Sequence, residues 1–162
     1  MQKFVTCLWF DGKAEEAADF YASIFKNSKV GKITRYGDSG PGEKGTVMTV
    51  AFQLNGQKFL ALNGGPQFTF SEAVSFVVAC GTQKELDELW GKLSWEGKTQ
   101  LCGWLKDRYG VSWQIVPSVL ERMLEDSDAG RSGKVMEALL KMGKIDIRTL
   151  KQAYKAEKVT AQ

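Results

Sequence analysis

Apolar positions change their period along the chain. Residues 3–10 read as a strand, and beyond Gly12 the residues Ala17, Phe20, Tyr21, Ile24 and Phe25 recur at the i, i+3, i+4, i+7, i+8 spacing of one buried helical face. Lys13, Glu15, Glu16 and Asp19 occupy the opposite face. A second strand over 30–36 runs into Gly37–Gly45, a loop by composition. Thr46–Leu54 and Gln57–Asn63 then flank Asn55-Gly56, a pair suited to a type I′ turn because both central residues must take positive φ.

The pattern begins again after Gly64-Gly65-Pro66 and a linker over 67–72. Ala73–Cys80 reads as a strand, and Thr82 with Glu85 has the spacing of a capping box opening a second helix. The apolar positions of that helix, Leu86, Leu89, Trp90 and Leu93, lie 69 residues beyond Ala17, Phe20, Tyr21 and Ile24. Leu101–Lys106, a turn ending at Gly110 and Val111–Val116 repeat the hairpin. The chain is thus expected to be α+β: a βαβββ module over 1–66, a second over 67–117 and a helical extension over 118–162, in one structural domain. In the extension Val119, Leu120, Met123 and Leu124 form one amphipathic set, and Val135, Met136, Leu139 and Leu140 form another, stopped by Gly143. Asp146 suits the N-cap of a last helix through Ala153 and Tyr154, with Ile145 and Leu150 placed as a hydrophobic staple. These helices are expected to cover a sheet edge or to form a dimer contact.

Strand alternation sorts side chains between two sheet faces. The helix-covered face is expected to take Val5, Cys7 and Trp9, with Val74, Phe76 and Val78 by the repeat, together with Met48, Val50, Phe52, Leu54, Phe59, Ala61, Trp113 and Ile115. That leaves Phe4, Thr6, Leu8, Phe10, Thr49, Ala51, Leu60, Leu62, Ala73, Ser75, Val77, Gly103, Leu105, Ser112, Gln114 and Val116 on the concave face. Apolar walls with a few hydroxyls and one amide describe a small-molecule pocket, with Phe4, Thr6, Leu8, Phe10, Thr49, Leu60, Ser75 and Gln114 as its candidate residues; the alternative is a cleft filled by its own bulky side chains. No carboxylate, lysine or tyrosine stands on that face to serve as a general acid or base.

Composition narrows the chemistry. Twenty-two Lys and Arg are scattered among 19 Asp and Glu, for a net charge of +3, and form no stripe that would follow a phosphate backbone, so nucleic acid is not an expected partner. No apolar run approaches the roughly 20 residues of a membrane-spanning helix, and no signal core follows the N-terminus, so no membrane association and a cytoplasmic location are expected. Cys7, Cys80 and Cys102 lack the spacing of a disulfide framework or a zinc site and read as free thiols, mostly in the core. The chain contains no histidine, which excludes imidazole metal sites, Ser-His-Asp triads and histidine acid–base catalysis. Gly40-Pro41-Gly42-Glu43-Lys44-Gly45 spells GxGxxG but precedes a strand instead of opening a helix, so it reads as a loop and not a nucleotide fingerprint.

Several segments resemble the vicinal oxygen chelate superfamily of glyoxalase, bleomycin-resistance and extradiol dioxygenase proteins, and within it the PhnB-like branch often labelled 3-demethylubiquinone-9 3-methyltransferase. They are Cys7-Leu8-Trp9-Phe10-Asp11-Gly12 with Ala14-Glu15-Glu16-Ala17 and Phe20-Tyr21, Asn63-Gly64-Gly65-Pro66, Cys102-Gly103-Trp104-Leu105-Lys106-Asp107 and Tyr109–Pro117. Val135-Met136-Glu137-Ala138, Lys141-Met142 and Ile145-Asp146-Ile147 are similar to that branch as well. The resemblance implies a glyoxalase-like curved mixed sheet. Metal-dependent members draw four ligands from the cleft, and those positions fall here on Phe4, Leu60, Ala73 and Gln114. Three cannot bind a metal and Gln114 offers a neutral amide, so neither a metal nor any other cofactor is expected. Glu72, next to Ala73, is expected to be a solvated carboxylate. A methyltransferase would be expected to carry a glycine-rich turn after its first strand, where Asp11-Gly12-Lys13-Ala14 has one glycine. Three functions fit: a metal-free binder of a small, partly apolar molecule; a lyase, isomerase or ring-opening enzyme using no metal or unusual ligands; or a structural or regulatory dimer. A homodimer is the expected assembly.

Overall fold

The computed structural model describes residues 4–156, in two compact units that divide between Phe70 and Ser71. The division falls inside the expected 67–72 linker.

The first unit contains β1 (Thr6–Phe10), α1 (Ala14–Ile24), β2 (Lys29–Arg35), β3 (Val47–Leu54) and β4 (Gln57–Asn63). Its sheet runs β1-β4-β3-β2, with β1 parallel to β4 and the other neighbours antiparallel. Asn55 and Gly56 take φ of 46° and 84°, the positive values that the two-residue turn requires. α1 buries Ala14, Ala17, Ala18 and Tyr21, and the Tyr21 ring stacks on Phe52, which stacks in turn on Phe59. Three small residues around one large ring let the helix lie close to the strands, and burying that surface stabilises the unit.

The second unit repeats the order: β5 (Ser75–Cys80), α2 (Gln83–Ser94), β6 (Lys98–Thr99), β7 (Trp104–Lys106) and β8 (Ser112–Pro117), in a sheet β5-β8-β7-β6 with β5 parallel to β8. Thr82 caps α2 by accepting from Glu85 N, while Glu85 reaches back to Gly81 N. α3 (Leu120–Leu124), α4 (Ala129–Leu139) and α5 (Ile147–Lys155) follow. Asp128 and Asp146 cap α4 and α5 through their carboxylates, and Ile145 and Leu150 are both fully buried, as a staple requires. Two βαβββ modules with identical strand order make this the predicted glyoxalase-like α+β fold, with helices at the C-terminal end.

The register corrects three expectations. Thr6, Leu8 and Phe10 pair with Phe59, Ala61 and Asn63, on the same side as Val50 and Phe52, so they stand under α1 and not on the open face. Leu8 and Phe10 are accordingly buried, while Cys7 is exposed and Trp9 half-buried. The cause is a one-residue difference between the modules: the helices correspond at an offset of 69, whereas the helix-facing Leu8 and Phe10 correspond to Phe76 and Val78, an offset of 68. With a side-chain period of two, that single residue moves the whole strand set to the other face. In the second unit Leu105 pairs with Trp113 and is fully buried on the helix side, which turns Trp104 and Lys106 to the open face. Of the three cysteines only Cys80 belongs to the core; Cys102 is half-buried.

Candidate functional site

The open face of the second sheet carries a serine, a glutamine and a lysine within one patch. Ser75, Val77 and Ala79 on β5 lie beside Ser112, Gln114 and Val116 on β8, and Gln114 and Ser112 lie beside Trp104 and Lys106 on β7. Gln114 Nε2 donates to Ser75 Oγ at 2.9 Å, so two of the candidate residues are brought together. Ser112 is 1% exposed, and its hydroxyl has no hydrogen-bond partner among the described residues. Lys106 Nζ sits 2.9 Å from Glu72 Oε1, which also accepts from Gln100 Nε2 at 2.9 Å. These bonds, from Lys106 first and Gln100 second, pull the Glu72 carboxyl down to about 2 although it stands in solvent. Glu72 is thus the solvent-facing carboxylate expected, fixed by a cation.

Alternation in β5 and β8 placed Ser75 and Gln114 correctly, but Trp104 and Lys106 were missed. Their signal lay in the turn. Asp107, 3% exposed, accepts at Oδ1 from Tyr109 N (2.9 Å) and Val111 N (3.0 Å) and at Oδ2 from Trp113 Nε1 (2.8 Å). An aspartate accepting from N–H groups two and four residues ahead closes the turn so that Lys106 faces Ser112, and this pairing sets which side chains of β7 reach the open face.

The remaining candidates lie in the first unit or ahead of its first strand. Thr49 and Leu60 are on the open side of the first sheet, where Thr49 Oγ1 shares a 2.6 Å hydrogen bond with Thr34 Oγ1. Thr6, Leu8 and Phe10 are on the opposite side, and Phe4, 90% exposed, precedes β1. Ala73 lies ahead of β5 and is exposed. Asn63-Gly64-Gly65-Pro66 works as a latch: Asn63 Oδ1 accepts from Ala14 N at 2.8 Å at the start of α1, its Nδ2 donates to Val47 O at 3.0 Å, and Gly65 O accepts from Trp9 Nε1 at 2.8 Å. The glycine-rich loop closes on Tyr36: a Cβ at Gly42 would stand 2.3 Å from its ring, and the Tyr36 hydroxyl donates to Asn63 O at 2.6 Å. Ring packing therefore accounts for Gly40 and Gly42, and a φ of 86° for Gly45, in place of a phosphate cradle.

Partial desolvation raises the thiol of the exposed Cys7, and burial with the Glu85 carboxylate nearby raises that of Cys80 to about 11, the reverse of what a thiolate nucleophile needs. Among the described residues no three Asp, Glu, His or Cys side chains gather where they could hold a metal ion. With Leu60, Ala73 and Gln114 at ligand positions, the donors do not fit a divalent cation. No helix among the described residues is long and apolar enough to cross a membrane.

Two βαβββ modules of one strand order define a glyoxalase-like fold. Within it, the chain belongs to the PhnB-like family described as 3-demethylubiquinone-9 3-methyltransferase, whose sequence profile matches residues 2–116. It is 42% identical to a putative 3-demethylubiquinone-9 3-methyltransferase, a PhnB protein from Bacillus cereus; the match covers 72% of this chain and 99% of that one, with a TM-score of 0.66. A protein of Pseudomonas aeruginosa is 20% identical over 70% of this chain and 95% of its own, with a TM-score of 0.58. A fosfomycin resistance protein from Listeria monocytogenes, complexed with Mn(II) and a dihydroxypropylphosphonic acid, shares the fold at 14% identity, covering 77% and 99% of the two chains with a TM-score of 0.53. No curated protein sequence matches the chain.

Proposed function

We propose that the protein is a metal-free binder of a small, partly apolar molecule, held against the open face of the second sheet. The observation that carries this reading is the hydrogen-bonded Ser75–Gln114 pair set among Val77, Val116 and Trp104. Apolar surface supplies burial, and a few fixed polar groups orient the ligand. Val77 is 61% exposed, so this face offers apolar area to an incoming molecule. Lys106, held by Glu72, adds a cation at the rim. The missing donor set supports a site that works through hydrogen bonds and burial, although the Listeria relative binds Mn(II) on the same fold. The methyltransferase description draws no support from the glycine-rich loop, which packs on Tyr36.

A screen of small aromatic and amide-bearing compounds by thermal shift, followed by calorimetry, tests the reading. Binders whose affinity falls on substitution of Gln114 support it; a screen without any binder, alongside a crystal structure with this face filled by the protein's own side chains, overturns it.

We further propose that the chain assembles as a homodimer. β1 and β5 are edge strands of their sheets, and each is preceded by exposed apolar residues, Phe4 and Val5 in one case and Val74 in the other. Light scattering gives the mass, and a monomer at micromolar concentration overturns the assignment.

A further inference from the structure

The family profile ends at residue 116, so the helices α3 to α5 are an addition to the matched fold, and a second cleft forms where α5 meets α2. The cleft has a volume of about 720 Å³ and takes its floor from Gly81, Thr82 and Gln83 and one wall from α5. Gln83 fastens that wall: its Oε1 accepts from Ile147 N at 2.8 Å and its Nε2 donates to Ile145 O at 3.0 Å. Leu150, fully buried, anchors the other side of the helix.

Along the cleft α5 presents Arg148, Lys151 and Lys155, at the i, i+3, i+7 spacing of one helical face. Among the described residues none of the three forms an ion pair within 4.0 Å, whereas nearby Lys144 is engaged by Asp87 at 2.7 Å. Asp146 is the one carboxylate lining the cleft, and its Oδ1 is occupied by Thr149 N at 2.6 Å as the cap of α5. Asp146 offsets part of the charge of Arg148, and the remaining positive charge repels itself over about 10 Å of helix. A multiply charged anion removes that cost, and the guanidinium and ammonium groups suit phosphate oxygens. The caps of α2 and α5 are taken by Thr82 and Asp146, so the attraction comes from these side chains and not from free helix ends.

We propose that the α2–α5 cleft is a binding site for a small polyanion carrying two or more phosphate groups, held by Arg148, Lys151 and Lys155, separate from the open face of the sheet. The test is calorimetry of the full chain with inorganic tripolyphosphate at low salt. One-to-one binding is expected, weakened about tenfold or more in the triple variant Arg148→Gln/Lys151→Gln/Lys155→Gln, because each lost charge-assisted contact removes a severalfold factor. A control triple variant in the first unit, Lys26→Gln/Lys29→Gln/Lys32→Gln, changes net charge equally and is expected to bind as the unaltered protein does. Absence of binding, an equal loss in both triples, or association with phosphatidylglycerol vesicles without tripolyphosphate binding overturns the site. Should the α5 triple fail to fold, Lys151→Gln alone is expected to weaken binding about threefold, and an unchanged affinity in that variant counts against the proposal.

Discussion

The two modules share one strand order, β1-β4-β3-β2 and β5-β8-β7-β6, yet they are locked by opposite chemistry and show different open faces. The first is latched by Asn63, a neutral amide that accepts from α1 and donates to β3. The second is latched by Asp107, a buried carboxylate that only accepts, drawing two backbone amides and the Trp113 indole onto itself. The open face of the first sheet has Cys7, Trp9, Ala51, Leu60 and Leu62 around one hydroxyl pair, Thr34 with Thr49, and Lys29, Gln53 and Lys58 toward the Asn55-Gly56 turn. That of the second has Ser75, Gln114, Ser112, Trp104 and Lys106 among Val77, Ala79 and Val116. One topology thus carries two faces of mixed character: the first keeps its long polar side chains at the hairpin end, and the second sets an inter-strand amide–hydroxyl bond, Gln114 with Ser75, among apolar residues.

Breaking the two latches gives the largest expected effects. Asp107→Ala leaves Val111 N and the Trp113 indole without their acceptor inside the core, and the expected loss is about 3 kcal/mol or more, read from urea denaturation. Asn63→Ala removes the α1 contact and the donor to Val47 O, in a half-buried setting where water can replace part of both, and is expected to cost about 2 kcal/mol. If the two losses are equal, the contrast between a charged and a neutral latch has no energetic content.

That contrast was only partly legible in the sequence. Features set by neighbours in the chain could be read: the Asn55-Gly56 turn, the Thr82 cap with Glu85 three residues on, and Ile145 with Leu150 around Asp146. Features set by pairing between strands were less accessible. Phe4 to Phe10 is bulky on nearly every position, so its own alternation could not say which side lies under α1, and the repeat offset misled by one residue. Trp104 and Lys106 reach the open face because Asp107 gathers its turn, and a lone aspartate before Arg108-Tyr109-Gly110 does not announce which amides it will take. Glu72 lay outside the alternation altogether; its partner is Lys106, 34 residues on, and only the folded sheet brings them together.

Effects on the open face itself are smaller. Gln114→Leu keeps the strand and its apolar neighbours and removes the amide that meets Ser75, so the fold is expected to persist while ligand affinity falls about fivefold to tenfold, the worth of one net hydrogen bond. Calorimetry with any compound from the screen measures this, and an unchanged affinity separates the second sheet's polarity from binding.

The subtlest test concerns the exposed pair at the rim. Glu72 has its carboxyl lowered to about 2 by Lys106 and Gln100. A lowered folded value means that the carboxylate's contribution to stability is fully present above the ordinary carboxylate range, shrinks as pH falls through that range, and is gone below about 2. Solvent screening makes this contribution small, so the informative readout is the Glu72 titration itself, followed by NMR. Lys106→Gln removes the leading cause and is expected to move the midpoint up toward the ordinary range, leaving part of the shift to Gln100. A midpoint that stays near 2 in that variant would show that Lys106 is not held by Glu72 in solution, and the cation assigned to the rim of the second sheet would then be a free, solvated side chain, bringing the two open faces closer in character than their hydrogen bonds indicate.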